Sequence, residues 1–362
     1  MAATARGRAI APAELPSGAG SVVAIVPVLD ERERVGACLE GLVRQPAALE
    51  AILVVDGGSV DGTGDVVRAF AARDRRVRLI DASPVPPGWN GKVWNLACGL
   101  AASDPAATWI LTVDADVRPE PQLIASLLAH ARSTGLEAFS AAPLLELSGP
   151  AEAALHPAFL ATIVYRMGLP GNVATRPAAV QANGQCFLAR RDVLLRTAAF
   201  DAARASRCDD YTIARALVRA GVRVGFFEGG RLARVRMYDS ARDCWRNWPR
   251  SLALRDAGTP PAQLLAGLAE VLLVQALPLA IVLATLACGA RTDSALFRLN
   301  LALALARLGV LAGTRRAYAP PGPAYWLAAF ADLPAALRLA QATFATRHVW
   351  RGRTLVAEGS PA

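Results

Sequence analysis

Aromatic residues make up only 6% of this 362-residue chain and histidine occurs three times, although 54% of the residues are hydrophobic. The apolar weight therefore sits in Ala, Leu and Val, a composition suited to a buried α/β core together with lipid-facing helices. The six cysteines (38, 98, 186, 208, 244 and 288) are scattered and include no Cys-x-x-Cys pair. With so few, equally dispersed histidines, this excludes a zinc site. Thiols spread in this way point to a reducing, cytosolic setting for the folded part. The first twenty residues lack the apolar stretch of about 7–15 residues that a signal peptide needs. They are expected to form a flexible tail that starts in the cytosol. The net charge of +9 is carried mostly by arginine. No basic stretch is interleaved with aromatics and no nucleic-acid-reading motif is present, so nucleic acid is not an expected partner. Anionic lipid headgroups and a nucleotide diphosphate account for the charge equally well.

What is present is a regular alternation. Residues 21–29 predict a buried strand, followed by Asp30-Glu31-Arg32-Glu33 and a helix to about Leu42. A second strand at 51–55 ends at Asp56-Gly57-Gly58-Ser59. A helix over 63–72, a strand over 77–80, a helix over 92–101 and a strand over 109–113 complete the series. Strands alternating with helices of this length predict a doubly wound, mainly parallel sheet. Ligands of such sheets bind past the carboxyl ends of the strands. Asp30, Asp56 and the pair Asp114 and Asp116 all fall just past predicted strand ends.

The run Trp109-Ile110-Leu111-Thr112-Val113-Asp114-Ala115-Asp116 is the most informative stretch. Period-2 geometry puts both carboxylates on one side of the chain, where they repel unless a cation lies between them. Mg²⁺ and Mn²⁺ bind in this manner, through one or two carboxylates plus substrate phosphates. An isolated Asp-x-Asp also suits an ordinary strand-to-loop turn. Further on, a short strand near 184–189 precedes a helix at 191–192, and Asp209-Asp210 opens a helix through Ala220 ahead of a strand at 222–227.

The segments Val26-Pro27-Val28-Leu29-Asp30-Glu31, Val54-Val55-Asp56-Gly57-Gly58-Ser59-Val60-Asp61-Gly62-Thr63, Gly88-Trp89-Asn90-Gly91-Lys92-Val93-Trp94-Asn95, Asp114-Ala115-Asp116 and Cys208-Asp209-Asp210 occur in this order. Together they resemble the family 2 glycosyltransferases of GT-A fold. The Pro-Pro-Gly-Trp-x-Gly-Lys block and the apolar C-terminal segments look most like the membrane-bound branch associated with hopanoids and carotenoids. The resemblance covers about residues 21–255. It implies that Asp56, with Asp30, Asn95 and the backbone near Pro27, serves the nucleotide, and that Lys92 approaches the ribose or diphosphate. It implies Asp116 as ligand of a divalent metal, Mg²⁺ or Mn²⁺, with Asp114 on the ribose or beside the metal. Asp210 would be the general base of an inverting transfer, next to Asp209, which stands where a Glu is common. A capping pair at a helix N-terminus is the alternative for Asp209-Asp210. Trp89 and Gln185 are candidates for the acceptor side. Where the family commonly has two Asp after the second strand, this chain has Asp56-Gly57.

The C-terminal third is different in kind. Residues 263–288 are long and apolar enough to span a bilayer. Residues 299–313 and 325–344 are each a span, a re-entrant helix or an interfacial helix, separated by Pro320-Pro321-Gly322-Pro323. Arginines flank all three, so charge does not orient them. Residues 234–250 mix arginines with Tyr238, Trp245 and Trp248. This is the make-up of an interfacial belt, or, through Arg246 and Trp248, of an element closing the acceptor site. The expected organisation is a tail over 1–20, a GT-A catalytic domain over 21–255, membrane helices over 256–346 and a tail over 347–362. The expected activity is transfer of a sugar from a nucleoside diphosphate, UDP before others, to a lipid or isoprenoid-type acceptor on the cytosolic face of the inner membrane. The competing readings are a nucleotidyltransferase, a catalytically silent nucleotide-sugar-binding scaffold and a polysaccharide synthase–channel. The first lacks an early Gly-rich basic loop, the second is at odds with an intact Asp114, Asp116 and Asp210, and the third has too small a membrane part for a conduit.

Overall fold

The computed structural model describes residues 9–206, 208–252 and 261–345, together with the backbone of two strands further on. The chain divides into two compact units, Met1–Leu144 with Pro170–Val235 and Trp350–Arg353, and Leu145–Leu169 with Arg236–Val349 and Thr354–Ala362.

The first unit begins with β1 (Val22–Val28), α1 (Arg32–Val43), β2 (Leu49–Asp56), α2 (Thr63–Ala71), β3 (Val77–Asp81), α3 (Gly91–Ala102) and β4 (Trp109–Val113). These are the elements expected from the alternating pattern. β5 (Val117–Pro119), α4 (Leu123–Thr134), β6 (Ala138–Ala142) and β7 (Leu144–Leu145) follow. After α5 (Pro150–Met167), which belongs to the second unit, come β8 (Asn172–Ala174), β9 (Cys186–Arg190), α6 (Arg191–Thr197), α7 (Ala199–Ala202), α8 (Asp209–Arg219), β10 (Val224–Glu228) and β11 (Ala233–Val235).

Eight strands form one sheet in the order β3-β2-β1-β4-β9-β6-β10-β8. β1, β2, β3 and β4 run parallel, as do β6 and β10. β9 runs antiparallel to both β4 and β6, and β8 antiparallel to β10. All seven residues of β1 are buried, as a strand covered on both faces requires. Pro27 is tolerated in this central strand because the last β1–β4 pair is Ile25 with Thr112, two residues earlier.

The register fixes where the carboxylates emerge. Val28 pairs with Asp56 and Asp56 with Asp81, so the ends of β1, β2 and β3 are level. Val113 pairs with Cys186, so β4 ends where β9 begins, and the Asp114 amide donates to Gln185 O at 3.2 Å.

The second unit contains α5 and then α9 (Ala241–Ser251), α10 (Pro261–Glu270), α11 (Leu277–Ala287), α12 (Ala295–Thr314) and α13 (Asp332–Phe344). A π-helical turn, Val271–Ala276, joins α10 to α11, so the stretch Pro261–Ala287 is one continuous helix. The expected third apolar helix is broken: Pro323–Ala331 is 3₁₀-helical and only Asp332–Phe344 is α-helical. Two stretches, Pro261–Ala287 and Ala295–Ala317, are long and apolar enough to cross a membrane, and 28% and 22% of their most apolar windows are buried. The core of this unit joins Ala158 and Phe159 of α5 to Cys244 and Trp248 of α9 and to Ala335, Ala336 and Leu339 of α13. Beyond it, strands β12 (Arg347–Trp350) and β13 (Arg353–Val356) pair with each other.

Candidate active site

The loop after β2 is built around two aspartates. Asp56 Oδ1 accepts from the amides of Gly58 (3.0 Å) and Ser59 (2.8 Å) and from Ser59 Oγ (2.7 Å). Asp56 Oδ2 has no partner among the described residues. Asp30, with φ of 53°, crosses to the same loop: its amide donates to Ser59 Oγ at 2.9 Å and its Oδ1 accepts from the Val60 amide at 2.9 Å. The Glu31 amide donates to Thr63 Oγ1 at 2.8 Å. Three consecutive turns of polar pairing thus hold the ends of β1 and β2 as one rigid ledge, with one Asp56 oxygen left over.

The second cluster gathers where β4 ends and α3 and α8 begin. Asn90 caps α3, its side chain accepting from the Lys92 amide at 2.9 Å. The Lys92 ammonium reaches Asp114 Oδ1 at 2.8 Å, Asp114 Oδ2 at 3.0 Å and Asp209 Oδ2 at 3.4 Å. Asp210 turns away from the lysine and takes backbone donors: Oδ2 accepts from the Gly184 amide at 3.0 Å and Oδ1 from the Tyr211 amide at 2.7 Å. Gly184 is required here, because a Cβ would lie 3.2 Å from both Lys92 Nζ and Asp210 Cβ.

Burial and crowding shape the charges. Burial pushes the Asp116 carboxyl up to about 7, and the negative charges of Asp114 and Glu31 add to it. Burial, then Asp209, pushes Asp210 up to about 6. Burial also raises Asp114 above the usual carboxylate range, against the opposing pull of Lys92. Burial alone would lower the lysine, but Asp114, Asp209 and Asp210 outweigh it and hold Lys92 protonated.

Asp116 Oδ1 is shielded from solvent and has no hydrogen-bond partner. Among the described residues no three His, Cys, Asp or Glu side chains converge as a cage for a cation. A divalent ion held by one or two carboxylates and completed by phosphate oxygens needs no such cage. The residues present therefore fit a metal shared with a diphosphate, with Asp116 supplying the open oxygen.

Other expected site residues fall elsewhere. Asn95 is buried, and its amide donates to Val28 O (3.1 Å) and Val55 O (3.0 Å). It fastens the ends of β1 and β2 from beneath instead of presenting a surface to nucleotide. Pro27 is likewise buried within β1. Trp89 packs edge-on against Trp94, with ring centroids 5.2 Å apart, and leans on the core, which makes it a loop anchor. Gln185 is buried and bonded to Asn183 at 2.8 and 3.0 Å. Trp248 corrects the interfacial-belt expectation: it is buried in the second unit, 3.9 Å from the His156 ring, and Tyr238 is buried with it. Packing against His156 and Phe159 satisfies rings that would otherwise seek a headgroup layer. Arg246 is exposed on α9. Ser59, Asn90 and Gly184 were not singled out from the sequence. Asn90 two residues before Lys92 carried a helix-cap signal; Gly184 carried none.

A mainly parallel sheet with carboxylates and a lysine gathered past its strand ends defines the GT-A fold of nucleotide-diphospho-sugar transferases. Residues 23–196 match the family described as Glycosyl transferase family 2. That match spans just under half of the chain and supports a glycosyltransferase domain in this stretch. Among solved structures it is similar to the mannosyltransferase PcManGT from Pyrobaculum calidifontis in complex with GDP-Man and Mn²⁺, at 21% identity over 89% of each chain with a TM-score of 0.51. It is also similar to glucosyl-3-phosphoglycerate synthase from Mycobacterium tuberculosis, at 17% identity over 68% of this chain and 80% of that one, with a TM-score of 0.43. No curated protein matches the sequence.

Proposed function

We propose that the protein moves a sugar, with inversion, from a nucleoside diphosphate to a lipid-type hydroxyl or carboxyl acceptor at a membrane. The observation that carries this reading is the unpartnered, shielded oxygen of Asp116 beside a lysine-clamped Asp114 at the carboxyl end of β4. The free oxygen of Asp56 suits a hydrogen-bond donor of the base, and Asp114 suits a ribose hydroxyl. Lys92 is a compact point charge suited to a diphosphate oxygen. Asp116 would hold Mg²⁺ or Mn²⁺, which would supply charge neutralisation for the departing diphosphate. The similar mannosyltransferase was solved with GDP-Man and Mn²⁺, which supports both a nucleotide-sugar donor and a divalent ion.

Asp210 takes the acceptor proton. Its carboxylate is held by two backbone amides and is raised to about 6, close to the working pH of an effective general base. Asp209 pairs with Lys92 and keeps that ammonium in place. The two long apolar helices support a lipid acceptor, and the resemblance to the hopanoid and carotenoid branch favours an isoprenoid-derived one.

Membranes carrying the protein, incubated with labelled UDP- and GDP-sugars and then extracted with solvent, test the reading. Label is expected in the lipid phase and lost with EDTA. Label confined to water-soluble products would overturn the lipid acceptor, and turnover unaffected by EDTA would overturn the metal.

A further inference from the structure

We infer that the second unit forms a two-span hairpin whose turn, residues 288–294, lies across the bilayer from α9 and from Arg315–Arg316, while Pro323–Phe344 sits in the near leaflet without crossing. The inference rests on the membrane reading above. At 1.5 Å per residue, Pro261–Ala287 is about 40 Å long and Ala295–Ala317 about 34 Å, against a hydrocarbon core of about 30 Å. Leu265, Leu273, Leu286, Leu299 and Leu305 on these two helices are each more than half exposed, which suits lipid and not a soluble core.

The third stretch is pinned at a measurable depth. Arg307 of α12 pairs with Asp332 at the start of α13, with Nε to Oδ2 at 2.7 Å and Nη2 to Oδ1 at 2.9 Å. Gln275, in the π-helical turn of the first span, donates to the same Asp332 Oδ1 at 2.9 Å. Gln275 lies twelve residues before Ala287, and Arg307 twelve residues after Ala295. Both are therefore about 18 Å from the turn, which leaves Asp332 about 12 Å inside the near boundary of a 30 Å core. A charge at that depth has to be paired, and this one is.

Two observations keep Asp332–Phe344 from going deeper. The helix is about 20 Å long, too short to cross. Arg338, in its middle, donates to the carbonyls of Trp245 (3.3 Å) and Arg246 (3.4 Å) of α9, a helix whose Arg242 and Arg246 are exposed. The exposed arginines of α9, not its buried rings, keep that face at the near boundary, and Arg338 ties the middle of α13 to it.

The flanking arginines by themselves do not orient the segments, but with the turn located at 288–294 the arginines on its two sides can be compared. The far side carries two arginines, Arg291 in the turn, paired with Asp293 at 2.7 Å, and Arg298 just after it. Five arginines (236, 242, 246, 250 and 255) precede the first span, and Arg315 and Arg316 close the second. The near side is accordingly cytoplasmic, and the turn faces outward.

Cys288, in the turn, is the exposed cysteine of the six. The full chain is expressed in bacterial cells with a fluorescent protein fused after Ala362, and its membranes are extracted with carbonate. Intact cells are then treated with a membrane-impermeant maleimide, using the natural chain, Cys288→Ser, and Thr292→Cys in the Cys288→Ser background. The expected result is retention in the pellet, a fluorescent (cytoplasmic) fusion, labelling of the natural chain and the Thr292→Cys variant without lysis, and at least a tenfold loss of label in Cys288→Ser. Labelling of both turn positions only after lysis, with the protein still in the pellet, would overturn the hairpin but leave the membrane reading standing. A dark, externally exposed fusion would show an odd number of spans and overturn it too. Release into the carbonate supernatant would instead remove the membrane reading itself.

Discussion

Lys92 and Asp114 form a two-oxygen ion pair, at 2.8 and 3.0 Å, that ties the amino end of α3 to the carboxyl end of β4. The same ammonium reaches Asp209 at 3.4 Å, so one side chain holds three elements of the site together. Lys92→Met is expected to weaken nucleoside-diphosphate binding at least ~10-fold, about 1.4 kcal/mol, because Asp114, Asp209 and Asp210 then repel both one another and the phosphates. Lys92→Arg should not rescue it, since a planar fork does not reproduce a compact ammonium held between Asp114 and Asp209. Calorimetric titration with nucleoside diphosphate and Mn²⁺ checks both variants, and wild-type affinity in Lys92→Met would refute the role.

Asp116→Asn should act in opposite directions on stability and on activity. An unfolded Asp titrates near 3.8, whereas Asp116 in the folded, metal-free protein titrates at about 7. The native state therefore binds the extra proton between these values, and its stability falls as pH rises from about 4 to about 7. Asn carries no such penalty. In EDTA, Asp116→Asn should be more stable than the natural protein by at least ~1 kcal/mol at pH 8 and no more stable at pH 4. Turnover should fall by at least ~100-fold. Thermal melts at the two pH values, with and without Mn²⁺, read the effect; a gap that does not widen with pH would exclude a strained carboxylate.

For Asp210, the acid limb of kcat/KM should show an apparent pKa near 6. Activity is lost as pH falls through that value, because a protonated carboxyl cannot accept the acceptor's proton. Asp210→Asn should lose about 10²–10⁴-fold in turnover with donor binding nearly unchanged. An inactive Asp209→Asn beside an active Asp210→Asn would reverse the assignment.

Much of the catalytic unit was legible because β1, β2 and β4 are mostly buried and each ends at or just before a carboxylate. Asp30, Asp56 and Asp114 were placed by that rule alone. The stretch from Val117 to Ala174 was not read, although Leu123–Ala131 has helical apolar spacing and Ser148-Gly149-Pro150 announces α5. Pairing across long separations was invisible. Nothing local says that Asn95 will fasten Val28 to Val55, or that Trp248 will be covered by His156. The pairing of Asp332 with Arg307, 25 positions earlier, was hidden for the same reason.

The Asp56-Gly57 departure from the family pattern has a packing cause, and this leads to the last prediction. A Cβ at position 57 would lie 3.2 Å from Asn95 Nδ2 and 3.3 Å from Asn95 Oδ1, inside ordinary contact distance. Asn95 cannot retreat without releasing the carbonyls of Val28 and Val55. Gly57→Asp should therefore cost about 1–3 kcal/mol, the scale of overpacking a well-filled site. Asn95→Ala alone should cost about 1–3 kcal/mol through the carbonyls left unpaired. Because Asn95→Ala removes the obstruction, the double variant should be more stable than the sum predicts, by at least ~0.5 kcal/mol. Denaturant unfolding of the four proteins closes the cycle. Strict additivity, or a Gly57→Asp protein of unchanged stability that binds donor more tightly, would show that Asn95 does not occupy the place of the missing carboxylate.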